Sequence, residues 1–207
     1  MWYEPAADWS EIDRALGLPT DDQLRALARR IDALHRDQRD ASASWRTTEH
    51  RLIGLWGERH LARCFRLPMD TTLQRWGNRR RNFVLADGTV VDVITRTPLK
   101  SGQYPDLTLA ANRTGRVDAV VLVIFHGYAF EPEIAGWIDE PTLRAAGERR
   151  AFRDGFENLV WPVSRLRPFW ELLARHRPDD PLAQPPAASE PVVAPEPRPT
   201  VVQASLW

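Results

Sequence analysis

Apolar and polar positions alternate along the chain with two distinct periods. Leu24, Leu27, Ala28, Ile31 and Leu34 recur at helical intervals with charged residues between them. Thr20 stands three residues before Gln23, the spacing of a capping box. This pattern predicts a helix over 21–40. A second helix is expected over 48–66, stopped before Pro68. The run "RNFVLADGTVVDVITRT" predicts a hairpin, with strands over 82–86 and 89–95 around an Asp87-Gly88 turn. "VDAVVLVIFHG" is apolar without alternation, the mark of a strand buried on both faces. "PEIAGWI" reads as a further short strand, and "EPTLRAAGERRAF" and "SRLRPFWELLARH" read as helices. From 178 the text turns proline-rich and loses all periodicity, which predicts an extended, solvated linker over 178–202. The globular part is therefore expected to be mixed α/β and to end near 177.

Composition narrows the classes. Of 207 residues, 43% are hydrophobic and 27% charged, enough apolar mass for a packed core. The single cysteine, Cys64, excludes an internal disulfide framework and a cysteine-rich zinc site, and fits a reducing cytoplasm. With no long apolar run and no basic-then-apolar leader, neither a membrane span nor secretion is expected. The net charge is zero, but residues after Pro178 carry −3 and the remainder +3. Lys100 is the only lysine. Arginine suits bidentate phosphate contacts, and a compositional bias accounts equally well for its abundance.

Two carboxylates interrupt these apolar patterns. Glu58, in "IGLWGERHLARCF", shares its side of the helix with Gly54, Leu55, Leu61, Ala62 and Phe65. A buried carboxylate costs several kcal/mol unless paired or bound to a cation. Asp92 lies mid-strand with apolar neighbours on either face. An arginine partner or a stripe edge that reaches water for Glu58, and an edge strand with Asp92 facing water, are the simple alternatives. Taken together, a helix with an inward Glu followed by a hairpin with an inward Asp can present both acids to one hard cation such as Mg²⁺.

On these residues the chain resembles the restriction-endonuclease-like superfamily, the PD-(D/E)xK nucleases, over roughly 48–170. The motifs that carry the resemblance are "GERHLA", "RRNFVLADGTVVDVITR", "VDAVVLVIF" and "IAGWI". It implies a mixed β-sheet flanked by helices, DNA as partner, and Mg²⁺ held by Glu58 and Asp92. Asn82 stands where the family has its first Asp, and Ile94 where it has its Lys. The amide of Asn82 can offer an oxygen to a metal without charge. Ile94 can neither orient water nor offset transition-state charge. Arg96, two residues on with the same parity, and Lys100 in the following loop are the candidate substitutes. The resemblance therefore implies either a weakened or altered Mg²⁺-dependent deoxyribonuclease, or a nuclease fold kept as a non-catalytic adaptor.

Two further segments bear on partners. "RWGNRRR" puts Arg75, Arg79, Arg80 and Arg81 just before the hairpin, as a phosphate contact or an ordinary solvated loop. Within it, Trp76 is the candidate for base stacking. His126, at the end of the buried strand, reads as a satisfied polar residue. At the other end, "QASLW" resembles the peptide by which many bacterial proteins bind the DNA polymerase sliding clamp. Gln203, Ser205, Leu206 and Trp207 match that pattern. The expected organisation is an N-terminal helical region (1–47), a nuclease-like domain (48–177), a linker (178–202) and a clamp-binding peptide (203–207), in a cytoplasmic bacterial or phage protein.

Overall fold

The computed structural model describes residues 9–36, 47–72, 82–112, 117–151 and 157–185. Its elements, in chain order, are α1 (Trp9–Leu16), α2 (Asp21–Arg36), α3 (Thr48–Phe65), β1 (Phe83–Val84), β2 (Val90–Arg96), β3 (Leu107–Ala110), β4 (Ala119–Ile124), β5 (Glu133–Asp139), α4 (Glu140–Ala146), β6 (Glu148–Ala151), β7 (Glu157–Trp161) and α5 (Phe169–His176). The fold is mixed α/β. A four-stranded sheet runs β1-β2-β4-β5 and a three-stranded sheet runs β3-β7-β6. Among the described residues only β2 and β4 pair in parallel.

Alternation along β4 shows how the layers stack. All six of its residues are buried. Ala119, Val121 and Val123 join a core with Leu61, Ala62 and Phe65 of α3 and Leu172 and Leu173 of α5. Val120, Leu122 and Ile124 join a second core with Leu107 and Leu109 of β3, Leu159 of β7 and Leu143 of α4. Helices thus cover one face of the large sheet, and the small sheet with α4 covers the other. Together these explain why the β4 sequence lacks polar alternation. A third cluster joins Leu24, Leu27 and Ala28 of α2 to Leu52, Leu55 and Trp56 of α3.

α3 begins at a capping box: Thr47 Oγ1 accepts the His50 N–H, and His50 Nδ1 accepts the Thr47 N–H. It ends at Arg66 in the left-handed conformation, whose N–H reaches back to the Ala62 and Arg63 carbonyls.

Several elements depart from the sequence pattern. α1 falls in the region expected to be helical, though it is not marked out there as an element of its own. α2 is described only to Arg36, and 37–46 lie outside the described residues. The helix expected through "EPTLRAAGERRAF" stops at Ala146. Gly147 is extended (φ −68, ψ 139), and a side chain there would press to 2.4 Å from the Leu143 carbonyl oxygen. Glu148–Ala151 then forms β6 on β7. Through "SRLRPFWELLARH" a 3-10 turn, Val163–Arg165, is separated from α5 by Pro168, which disfavours a helical Arg167. There Trp137 and Arg167 exchange backbone hydrogen bonds instead. The stretch expected to open a solvated linker instead begins inside the fold. Asp180 caps a 3-10 turn, Pro181–Ala183, and Ala183 is buried in the α3/α5 core.

Candidate functional site

Glu58 comes to the large sheet on α3, whose apolar stripe of Leu61, Ala62 and Phe65 is completely buried. The approach is close because Gly57 has no side chain. A Cβ there would lie 2.0 Å from Thr95 Oγ1 and 3.0 Å from both Thr95 carbons. The glycine therefore sets the depth at which its neighbour Glu58 meets β2.

On β2, Val91 and Val93 join the α3 side of the core and Ile94 joins the opposite core. Alternation gives Asp92 the parity of Ile94, and its side chain is only 5% exposed as a residue. Two acids assigned to opposite sides of a continuous sheet would be insulated from one another. Here the sheet is not continuous. β1 pairs with β2 only at Phe83↔Val91 and Val84↔Val90. Beyond Val91 the outer edge of β2 has no strand partner among the described residues.

Asn82 stands at that opening. Its N–H donates to the Val91 carbonyl at 3.0 Å, and its Oδ1 accepts the Val93 N–H at 2.8 Å. Its amide also acts on the Glu58 carboxyl, in the direction that favours the ionised form. The Asn82 amide and the Asp92 charge both act on the Glu58 carboxyl at the α3–β2 junction.

The electrostatics carry the same signature. Burial pushes the Glu58 carboxyl up from 4.5 to about 8, and the charges of Asp92 and Asp70 push in the same direction. The hydrogen bond from Asn82 opposes them without prevailing. Among the described residues no group of three or more His, Cys, Asp or Glu side chains is placed to hold a metal ion. The donor set at this junction is two acids and one amide.

The other sequence candidates are placed as follows. Ile94 is half-buried and packs against the second core. Arg96 ends β2 opposite Ile124, about 13 Å of strand from Asp92 at ~3.3 Å per residue. Lys100 is exposed in a turn closed by Leu99 and Gln103. Arg75, Trp76, Arg79, Arg80 and Arg81 lie outside the described residues, as do Gln203, Ser205, Leu206 and Trp207. His126 has a partner: its Nε2 is 3.1 Å from Glu133 Oε2, which also accepts from the Tyr104 hydroxyl. Glu133 pairs with Ile124, four residues along β4 from Val120, the partner of Asp92, which puts that network about 13 Å of strand away at ~3.3 Å per residue.

Asp70 is the group that periodicity did not reveal. It lies in the loop after α3, with its Oδ1 accepting the Thr72 N–H, and its charge reaches Glu58. Loop residues carry no helical or strand spacing, so no sequence signal marked it.

No helix among the described residues is long and apolar enough to cross a membrane. Comparison of the chain with protein-family models, curated proteins and solved structures finds no match.

Proposed function

We propose that the chain is a DNA-processing protein built on a restriction-endonuclease-like domain, with weakened Mg²⁺-dependent phosphodiester hydrolysis, tethered to a sliding clamp by residues 203–207. The observation that carries this reading is that the raised Glu58 carboxyl on α3 feels the charge of buried Asp92 on β2, a strand whose outer edge is open beyond Val91 among the described residues. Two acids in electrostatic conflict fit a hard cation, because Mg²⁺ is commonly held by one or two carboxylates and keeps several waters. When bound, such an ion lowers the pKa of a coordinated water and offsets charge on a phosphate.

The chain's own residues then have separable tasks. Glu58 and Asp92 supply the negative charge that holds the cation. Gly57 sets the depth of Glu58 against β2. Arg96 and the loop lysine Lys100 are the cations on hand to meet a phosphate from the end of β2. Ile94 contributes neither proton nor charge, and this is the basis for the weakened chemistry. The same residue favours a second reading. A side chain packed into the core where a catalytic group would stand suits a non-catalytic DNA- or clamp-binding adaptor.

Purified full-length chain is mixed with linear, circular, branched and single-stranded DNA, with and without Mg²⁺. The nuclease reading expects cleavage that is lost in both Glu58→Ala and Asp92→Ala. Cleavage indifferent to those changes rejects it. The adaptor reading expects DNA or clamp binding that survives Glu58→Ala. Pull-down by a bacterial clamp, with and without residues 203–207, tests the tether. Equal capture by both chains removes the peptide from the proposal.

A further inference from the structure

Trp137 is completely buried although β5 is an edge strand of the large sheet. Two arginines stack on its ring. The Arg167 guanidinium lies 4.3 Å from the indole centroid and the Arg175 guanidinium 4.9 Å from it. Both arginines are exposed. The two like charges thus stand within about 10 Å of one another, the screening length at ~0.1 M salt.

Their support is rigid. Trp137 and Arg167 exchange backbone hydrogen bonds at 3.0 and 2.8 Å, and Trp137 Nε1 donates to the Pro168 carbonyl at 3.0 Å. Gly136, at φ +142, permits this approach, because a Cβ there would lie 2.7 Å from the Arg167 carbonyl oxygen. Arg175 rides on the last turn of α5, which is anchored by the fully buried Leu172 and Leu173. Stacking uses the face of a guanidinium and leaves its in-plane N–H groups to bind anions, phosphate in bidentate fashion above all. Because both heads are already ordered on the ring, an incoming anion has less side-chain freedom to remove. Arg167 gives its Nε and one terminal nitrogen to a single oxygen of Glu171, at 2.9 and 2.6 Å. Among the described residues Arg175 has no carboxylate within ion-pair distance. Glu171 therefore answers one of the two cations, whereas a chain of phosphates can reach both.

We propose that Arg167 and Arg175, stacked on Trp137, form a contact for the phosphodiester backbone of nucleic acid at the β5 edge. Trp137 pairs with Val121, which pairs with Val93, so the contact stands two strand spacings, about 10 Å, from β2. The inference rests on the DNA reading given above and needs no metal.

Binding of labelled duplex DNA to the full chain is measured by fluorescence anisotropy over a range of salt. Each phosphate contact contributes about 0.9 to the slope of log K against log salt. Arg167→Gln and Arg175→Gln are each expected to flatten that slope by about 1, and the double variant by about 2. Arg175→Lys, which keeps the charge, should hold the wild-type slope. A role confined to covering Trp137 would lower the melting temperature and leave the slope alone; that result in both glutamine variants overturns the proposal. An equal flattening in Arg150→Gln, on the small sheet, would make the effect one of net charge and overturns it too.

Wild type supplies a second measurement in case a variant does not fold. The Arg167 and Arg175 Nε–H resonances are followed by NMR as duplex DNA or inorganic phosphate is added. Saturating shifts with DNA support the contact. Shifts with inorganic phosphate alone, or none with DNA that does bind, overturn it. If wild type fails to bind DNA even at low salt, the DNA reading falls together with this contact; binding with unaltered slopes removes the contact alone.

Discussion

Replacing Gly57 by alanine puts a methyl group in place of a hydrogen at a close contact between α3 and β2. The new Cβ would lie 2.0 Å from Thr95 Oγ1 and 3.0 Å from Thr95 Cβ and Cγ2. Favourable carbon contacts lie near 3.5–4.0 Å, so the helix or the threonine must give by more than an ångström. Rotating Thr95 can turn Oγ1 away but leaves its Cβ in place. Overpacking of this kind costs typically 1–3 kcal/mol, and a 2.0 Å overlap belongs at the upper end. Alanine returns about 1 kcal/mol through better helix propensity. The net expectation is a loss of about 2 kcal/mol, or roughly 4–8 °C in Tm for a chain of this size.

Thr95→Ala is the matching rescue. It removes the two outer atoms of the clash, and it removes a buried hydroxyl that has no hydrogen-bond partner among the described residues. By itself it should be close to neutral. Combined with Gly57→Ala it should recover on the order of 1 kcal/mol in a double-mutant cycle. Urea unfolding followed by circular dichroism measures all four proteins. A Gly57→Ala chain as stable as wild type, or a loss that Thr95→Ala leaves untouched, refutes the claim that this approach requires glycine. The same displacement would carry Glu58 away from Asp92, so Mn²⁺ binding should weaken in Gly57→Ala and return in the double variant.

The raised Glu58 carboxyl means the folded chain holds that proton more tightly than the unfolded one, so its contribution is full below about 4.5 and is lost as pH rises toward about 8. Glu58→Gln should therefore gain stability over wild type at pH 8.5, on the order of a few kcal/mol, with little difference at pH 4.5; unfolding midpoints at the two pH values check this. Arg63 is buried between Asp13, at 2.7 Å, and Glu131, at 3.1 Å. Arg63→Met should cost about 3 kcal/mol by thermal melting, the low end for a broken buried pair because both acids keep some exposure. Leu143 is completely buried beneath the small sheet, and Leu143→Ala should cost about 2–5 kcal/mol in urea. Ile94→Lys, with its stem against the core and its amine reaching out past the strand end, should raise Mg²⁺-dependent cleavage if the acid pair holds the cation; an unchanged DNA cleavage assay counts against the nuclease reading.

Much of the architecture was legible because burial leaves a periodic trace. Leu61, Ala62 and Phe65 read as an inward stripe and are fully buried. The unbroken apolar run of β4 signalled two covered faces, and it has them. Glu58 and Asp92 stood out because each breaks such a pattern. What failed were features whose cause is not local. β3 and β7 are short and gain their identity from pairing with each other across the intervening strands. The residues of β6 have helical propensity, and the pairing with β7 after Gly147 overrides it. Asn82 was weighed for its chemistry as a metal ligand, whereas its orientation depends on where β1 stops, which no propensity scale records. Asp70 had no pattern to break.

The small sheet has a consequence for how the chain assembles. β3 emerges early, yet its partner β7 follows β4, β5, α4 and β6. By contrast, β4–β5 and β6–β7 pair with near neighbours in sequence. Closing a loop that long is entropically slow, so the hairpins should form first and the docking of β3 should come last. During refolding, the apolar face made by Val120, Leu122 and Ile124 would stand uncovered until that final step, and crowding at this stage is where misassembly between chains would begin.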